Sequence, residues 1–222
     1  MAIPVSTTVL RTVPLFAGFP DEQLRVIASV VSRRNVPRGT IVIVEGDPTD
    51  SLYIIIAGRL KVMMSDSEGK EVILAMLGPG EYFGEMGLID ESPRSATVMT
   101  VEPCELIVVT KREFKKILSE NFDMAETVMR GLVRRLREAD RKIGSLALLD
   151  VYGRVARLLM DMAESVNGQK IVTKRLPKQD IAKMIGASRE MVSRVMKDLQ
   201  LGGFIDVQGS RIVLRDKILL PE

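Results

Sequence analysis

The sequence predicts an α+β chain in three parts: a β-sandwich or jelly-roll barrel, one long helix, and a helix-turn-helix backed by a hairpin. Three observations carry this. Between about Val36 and Thr110, β-branched and apolar runs recur at short intervals broken by glycine and Pro-Gly turns. From Phe122 to Leu148, apolar residues repeat at alternating spacings of four and three. From Lys178 to Leu201, two short helical patterns flank a glycine, and two apolar runs around Gln208-Gly209-Ser210 follow.

Asp21 to Ser32 places Leu24, Ile27, Ala28 and Val31 on one face, so a short amphipathic helix leads into the barrel. Strands are expected at Thr40 to Val44, Ser51 to Ile56, Leu60 to Met64, Val72 to Leu77, Ala96 to Val101 and Leu106 to Val109. They are separated by Gly46-Asp47-Pro48, Ala57-Gly58, Glu68-Gly69 and Gly78-Pro79-Gly80. In the long helix, Ala125, Met129, Leu132, Leu136, Ala139, Ile143 and Leu146 form a heptad seam flanked by Arg130, Arg134, Arg135, Arg137 and Arg141. A parallel two-helix dimer seam is the natural reading, because a helix lying on its own barrel would carry a wider stripe. Val151 to Glu164 is helical by period, and Ile171 to Leu176 reads as a short strand. Gln179 to Ile185 forms a helix that Gly186 breaks, and Ser188 caps a second one with Glu190 close behind. Gly202 to Leu214 completes a hairpin of the kind that makes a winged helix. The domain boundaries follow as 1–121, 122–149 and 150–222.

Composition removes whole classes of function. No run of eighteen apolar residues occurs, and the N-terminus lacks a basic region followed by an apolar one, so a cytoplasmic protein without a membrane partner is expected. Cys104 is the single cysteine, which rules out a disulfide framework or a four-cysteine iron–sulfur cluster within one chain. With no histidine there is no His-ligated haem, no His-based zinc site and no Ser-His or Cys-His nucleophile. Neither a resident metal nor an enzymatic activity is expected. Cys104 opens an apolar run and reads as a strand residue. From Lys170 onward there are eleven Lys and Arg against six Asp and Glu, whereas the rest of the chain has 21 against 23. A basic C-terminal quarter on a near-neutral remainder is the charge pattern of a nucleic-acid-binding module.

The most informative stretch is Phe83-Gly84-Glu85-Met86-Gly87-Leu88-Ile89-Asp90-Glu91-Ser92-Pro93-Arg94-Ser95-Ala96-Thr97. Gly84 and Gly87 let backbone approach a ligand, and a turn at Arg94-Ser95-Ala96 can aim amide N–H groups at phosphate oxygens. Arg94 supplies a planar charged fork. A carboxylate there would repel phosphate, so Glu85 fits only if it accepts from a hydroxyl such as a ribose 2′-OH. An anion and a sugar hydroxyl together describe a nucleotide.

These residues resemble the phosphate-binding cassette of the cyclic AMP receptor protein (CRP/FNR) family, with Gly84, Glu85, Arg94, Ser95 and Ala96 at its defining positions and Met86 within it. The likeness runs from about Leu15 to Leu214. It implies an N-terminal cyclic-nucleotide-binding β jelly-roll, a long dimerisation helix and a C-terminal winged helix-turn-helix, assembled as a homodimer with a cyclic nucleotide as allosteric effector. The lone cysteine excludes the family's oxygen-sensing branch. Val62 and Leu74 align with apolar pocket residues and serve equally as barrel core. Ser188-Arg189-Glu190-Met191-Val192-Ser193-Arg194-Val195 looks like the recognition helix. The resemblance implies Arg189, Glu190 and Arg194 as base readers, with Ser193 beside them; arginine can bond guanine O6 and N7, and glutamate can accept from cytosine N4. Lys178, Ser188 and Lys197 suit phosphates. The implied target is double-stranded DNA with two TGTGA-like half-sites. In activating relatives a longer loop before the winged helix touches RNA polymerase, whereas Ser165 to Gln169 is short.

The resemblance also directs attention to the base. Cyclic AMP-binding members place two adjacent hydroxyls on the dimer helix against the adenine, and the aligned residues here are Ala139 and Asp140. A carboxylate accepts one hydrogen bond from adenine but two from the N1–H and N2–H₂ edge of guanine. Cyclic AMP stays slightly ahead on the strength of the cassette, with cyclic GMP or cyclic di-GMP permitted by Asp140. Two other readings are a nucleotide-independent regulator with a degenerate sensor, and a regulatory module for an enzyme or channel. The helix-turn-helix argues against the second.

Overall fold

In this computed structural model the described residues are 5–173, 176–209 and 211–215. They divide into two compact units, Met1–Arg134 and Arg135–Glu222, with the division inside the long helix. No helix among the described residues is long and apolar enough to cross a membrane.

The first unit begins with α1 (Thr7–Arg11), a single 3₁₀ turn (Pro14–Phe16) and α2 (Asp21–Val30). Eight strands follow: β1 (Ser32–Val36), β2 (Ile41–Ile43), β3 (Ser51–Ala57), β4 (Leu60–Ser65), β5 (Glu71–Leu77), β6 (Tyr82–Phe83), β7 (Thr97–Thr100) and β8 (Cys104–Thr110), with the short α3 (Met86–Ile89) after β6. They pair as two antiparallel sheets, β1-β8-β3-β6 and β2-β7-β4-β5. That interleaved order is the jelly-roll, which decides between the two architectures left open by the strand pattern. Then come α4 (Lys111–Glu120) and α5 (Phe122–Leu148).

Strand β3 explains the layering. Its side chains alternate between faces, and both faces are buried. Leu52 and Ile54 point with Ile107 and Val109 into a core closed by Leu10, Phe16, Leu24, Phe114, Met124 and Val128. Tyr53 and Ile55 point with Val36, Phe83 and Leu106 into the sandwich interior, against Leu60, Leu77 and Val98 of the other sheet. Each such aliphatic side chain contributes roughly 1.5–3 kcal/mol when fully buried.

In this unit the strand expectations hold to within two residues, but several elements differ. Helix α2 stops at Val30 because Val31 is already extended, and Ser32 begins β1. β1 reads Ser-Arg-Arg-Asn-Val and shows no apolar alternation; its pairing with β8 over Ser32↔Val108 to Val36↔Cys104 makes it a strand. Thr110 caps α4 by accepting from the Glu113 amide at 3.3 Å. The Thr-x-x-Glu of a capping box therefore announced a helix that hydrophobic spacing did not.

The second unit contains α6 (Val151–Met162), β9 (Glu164–Val166), β10 (Gln169–Val172), α7 (Lys178–Ile185), α8 (Arg189–Leu201), β11 (Ile205–Gln208) and β12 (Arg211–Leu214), with a sheet in the order β11-β12-β10-β9. Asp150 caps α6, its carboxylate accepting from the Gly153 amide at 2.8 Å. Glu164 belongs to β9 and not to the preceding helix. The stretch read as a short loop, Ser165 to Gln169, is a tight hairpin in which Val166 pairs with Gln169 across Asn167-Gly168. Both turn residues have positive φ, 51° and 77°. Asn-Gly is the residue pair that a type I′ turn favours, so the signal was in the sequence. The strand expected at Ile171 to Leu176 lies instead at Gln169–Val172; Lys174 and Arg175 lie outside the described residues, as does Ser210 in the second hairpin turn.

Candidate functional site: a nucleotide cassette and a helix-turn-helix

The cassette is built around one buried arginine. β6 delivers the chain to Gly84, whose φ of 85° is open to glycine and unfavourable for other residues. An added Cβ there would also lie 2.5 Å from Arg94 Nη1. Without it, Arg94 closes over the turn. Nη1 donates to the Gly84 carbonyl at 2.9 Å and Nη2 donates to Asp50 Oδ1 at 3.1 Å. The guanidinium carbon stands 5.9 Å from the centroid of the Tyr53 ring, which stacks on Phe83 with centroids 5.1 Å apart. Backbone bonds fix the same arginine on both sides, from its amide to the Asp47 carbonyl and from the Gly46 amide to its own carbonyl. Arg94 is 5% exposed, and its Nε is buried with no acceptor among the described residues.

Glu85 precedes α3 and is 1% exposed. Gly87 admits close packing: a Cβ would fall 2.3 Å from the Ser92 carbonyl and the Thr49 hydroxyl. The far end of the cassette returns to its start, since Ser95 Oγ lies 3.6 Å from Met86 Sδ. Ser95 and Met86 are exposed and Ala96 is buried. Gly84, Glu85, Met86, Arg94, Ser95 and Ala96 thus form one local constellation. Val62 is half-buried against the sandwich core. Leu74 is exposed at a bulge, where the register shifts between Val62 facing Ala75 and Met63 facing Ile73. Ala139 and Asp140 are exposed on α5. Two residues escaped the sequence reading. Asp50 is the carboxylate partner of Arg94, and Glu91, in the left-handed region at φ 63°, ties the cassette to α4 through Lys115 at 2.6 Å. That hydrogen bond, helped by the charges of Lys115 and Lys111, holds the Glu91 carboxyl below the ordinary carboxylate range. Cys104 is buried at the start of β8, and burial pushes its thiol up.

In the second unit, α7 ends at Gly186, whose φ and ψ of 64° and 47° turn the chain. Arg154 Nη1 on α6 donates to the Ile185 carbonyl at 2.9 Å, securing that end. Ser188 caps α8 by accepting from the Met191 amide at 3.1 Å. α8 buries Val192, Val195, Met196 and Leu199. At about 100° per residue the expected DNA-contacting residues Arg189, Glu190, Ser193, Arg194 and Lys197 fall within an arc of roughly 140° on the opposite side. Arg189, Glu190, Arg194 and Lys197 are exposed, while Ser193 and Lys178 are half-buried. Such a face suits a major groove.

The predicted seam of α5 divides. Met129, Leu136, Ile143 and Leu146 are more than half exposed. Leu132 packs partly on the core of the first unit, and Met124 and Val128, outside the predicted seam, are buried there. The first turns of α5 therefore do lie on their own barrel, with the wider stripe that such packing requires.

Residues 33–121 match the cyclic nucleotide-binding domain family, and residues 153–220 match the Crp-like helix-turn-helix domain family. The chain is 30% identical over 212 residues to the CRP-like cAMP-activated global transcriptional regulator of Mycobacterium tuberculosis, covering 94% of this chain and 95% of that one. It is 34% identical over 200 residues to the cAMP-activated global transcriptional regulator Vfr of Pseudomonas aeruginosa, covering 86% and 92%. Among solved structures it is similar to the c-di-GMP responsive global regulator CLP of Xanthomonas campestris, at 29% identity and a TM-score of 0.72, covering 89% and 100%. With both domains matched in order and relatives aligned along nearly their whole length, the chain belongs to the CRP/FNR family of DNA-binding transcription regulators.

Proposed function

We propose that the protein is a cytoplasmic, homodimeric transcription regulator whose DNA binding is set by a cyclic nucleotide held in the cassette. The observation that carries this is the buried guanidinium of Arg94, oriented by Gly84 and Asp50, its Nε having no acceptor among the described residues. A buried N–H left without an acceptor costs about 1–3 kcal/mol, and a phosphate oxygen can repay it. Glu85 would accept from the ribose hydroxyl, and Ser95 would serve the phosphate. The exposed apolar residues of α5 would meet a second copy. The two α8 helices would then read half-sites about 34 Å apart, one DNA turn, in a two-fold TGTGA-like site.

Cyclic AMP is the favoured effector, in keeping with the names of the M. tuberculosis and P. aeruginosa relatives. Asp140, an exposed carboxylate with two acceptor oxygens, supports a second reading in which the base is guanine, as cyclic GMP or cyclic di-GMP. RNA polymerase is proposed as a further partner on family resemblance alone, the short Ser165 to Gln169 hairpin not supporting the loop contact of the activating relatives.

Calorimetric titration of the ligand-free protein with all three nucleotides tests the effector. Tight cyclic AMP binding that Asp140→Ala leaves unchanged would sink the guanine reading. Arg94→Ala should abolish the nucleotide dependence of DNA binding while non-specific binding persists. Specific DNA binding that ignores all three nucleotides would replace the switch by a constitutive regulator.

A further inference from the structure

Gly131 lies in the interior of α5, where glycine costs about 1 kcal/mol relative to alanine. Its surroundings explain the choice. A Cβ at this position would lie 2.2 Å from the phenolic oxygen of Tyr82 and 3.2 Å from the ring carbon bearing it. Tyr82 is buried, and its hydroxyl donates to the carbonyl of Val128 on the same helix at 3.3 Å. The notch left by the missing side chain is thus filled by a tyrosine hydroxyl.

That tyrosine is also part of the two-residue strand that opens the cassette. β6 pairs with β3 through Tyr53↔Phe83 and Ile54↔Tyr82, and its two side chains face opposite ways. Phe83 enters the sandwich interior and stacks on Tyr53, the ring over which Arg94 sits. Tyr82 enters the helix-facing core and reaches α5. One short strand therefore carries the aromatic platform of Arg94 on one side and a bond to α5 on the other. Close-packed interiors do not absorb displacement by compression, so a shift of Gly84 and Phe83 must either move α5 or break the Tyr82–Val128 bond. α5 further along bears Leu136, Ala139, Asp140 and Ile143.

We propose that the Tyr82 hydroxyl seated in the Gly131 notch is a latch through which the cassette sets the position of α5, making Tyr82 a positioning residue for the regulatory response. The latch has this meaning only if the cassette binds a nucleotide, as proposed above.

Full-length Y82F, G131A and the double variant test it, by calorimetry with cyclic AMP and cyclic di-GMP, by thermal unfolding, and by affinity for a duplex carrying two TGTGA-like half-sites with and without each nucleotide. Y82F keeps the ring and should still bind nucleotide, while the nucleotide-induced gain in DNA affinity falls about fivefold or more. G131A should lower Tm, and Y82F/G131A, with the oxygen gone from in front of the new methyl group but the ring carbon still 3.2 Å from it, should recover part of the loss. A purely structural tyrosine would move Tm and leave the gain alone. A wild-type gain in Y82F with nucleotide binding intact, or a G131A defect that Y82F does not relieve, overturns the latch by itself. Absence of nucleotide binding in the unmutated protein overturns the proposed function and the latch together, and calorimetry distinguishes the two failures.

Discussion

Asp50 and Gly84 orient the fork of Arg94, the proposed anion receptor. The Asp50 side chain is 78% exposed, so the pair is screened, and its contribution belongs with surface ion pairs at well under the strength of a buried one. Asp50→Ala is therefore expected to weaken nucleotide binding by about two- to fivefold in a calorimetric titration, far less than Arg94→Ala. Glu91 provides a second check at this scale. Its folded-state pKa is depressed by Lys115, so the interaction supports the folded cassette at neutral pH and is lost as pH falls through that lowered value, below the ordinary carboxylate range. In Lys115→Ala, the Glu91 carboxyl followed by NMR should titrate closer to the ordinary range. An unmoved titration would mean that Lys115 is not the cause. Both residues were illegible in the sequence for the same reason. An isolated Asp or Glu has no pattern of its own, and Asp50 lies 44 residues from the arginine that it serves.

At the scale of elements, the helix-turn-helix was the most legible part, because its signals are local. A left-handed glycine and a capping serine sit at fixed offsets from two apolar faces. Ser188→Ala removes the bond to the Met191 amide and should cost about 1 kcal/mol, measured as a lower denaturant midpoint of the C-terminal unit. At Gly186 a Cβ would meet only ordinary contacts, 3.5 Å from Leu146 Cδ2 and 3.8 Å from Arg154 Nη1. Gly186→Ala should accordingly destabilise through its φ of 64°, by about 1–2 kcal/mol. On the outward arc of α8, Arg189→Ala should relax discrimination at one base position by about 1–3 kcal/mol with nucleotide affinity unchanged. Lys197→Ala should weaken binding across sequences alike and reduce the salt slope by about one. The elements that went unread had other kinds of signal or none. α4 was marked by a capping box and β9–β10 by Asn-Gly, whereas polar β1 exists only because β8 lies beside it.

For the whole molecule, the exposure of Met129, Leu136, Ile143 and Leu146 along α5 is the observation that dimerisation would explain. Leu136→Glu should shift the sedimentation coefficient to that of a single chain and abolish tight binding to a two-fold site, while α8 still binds DNA weakly. A Leu136→Glu protein that sediments like the unmutated one would remove the seam from this face. The sequence by itself determined the strand-rich character of the first part, the helix-turn-helix and the residue types of the cassette. Those features rest on period, turn residues and side-chain type, which act over a few neighbouring positions. Only the tertiary structure decided which face of early α5 is core, that Asp50 joins Arg94, and that Gly131 makes room for Tyr82. Each of these depends on what a distant segment places opposite, and a contact across the fold leaves no periodicity in the chain on either side of it.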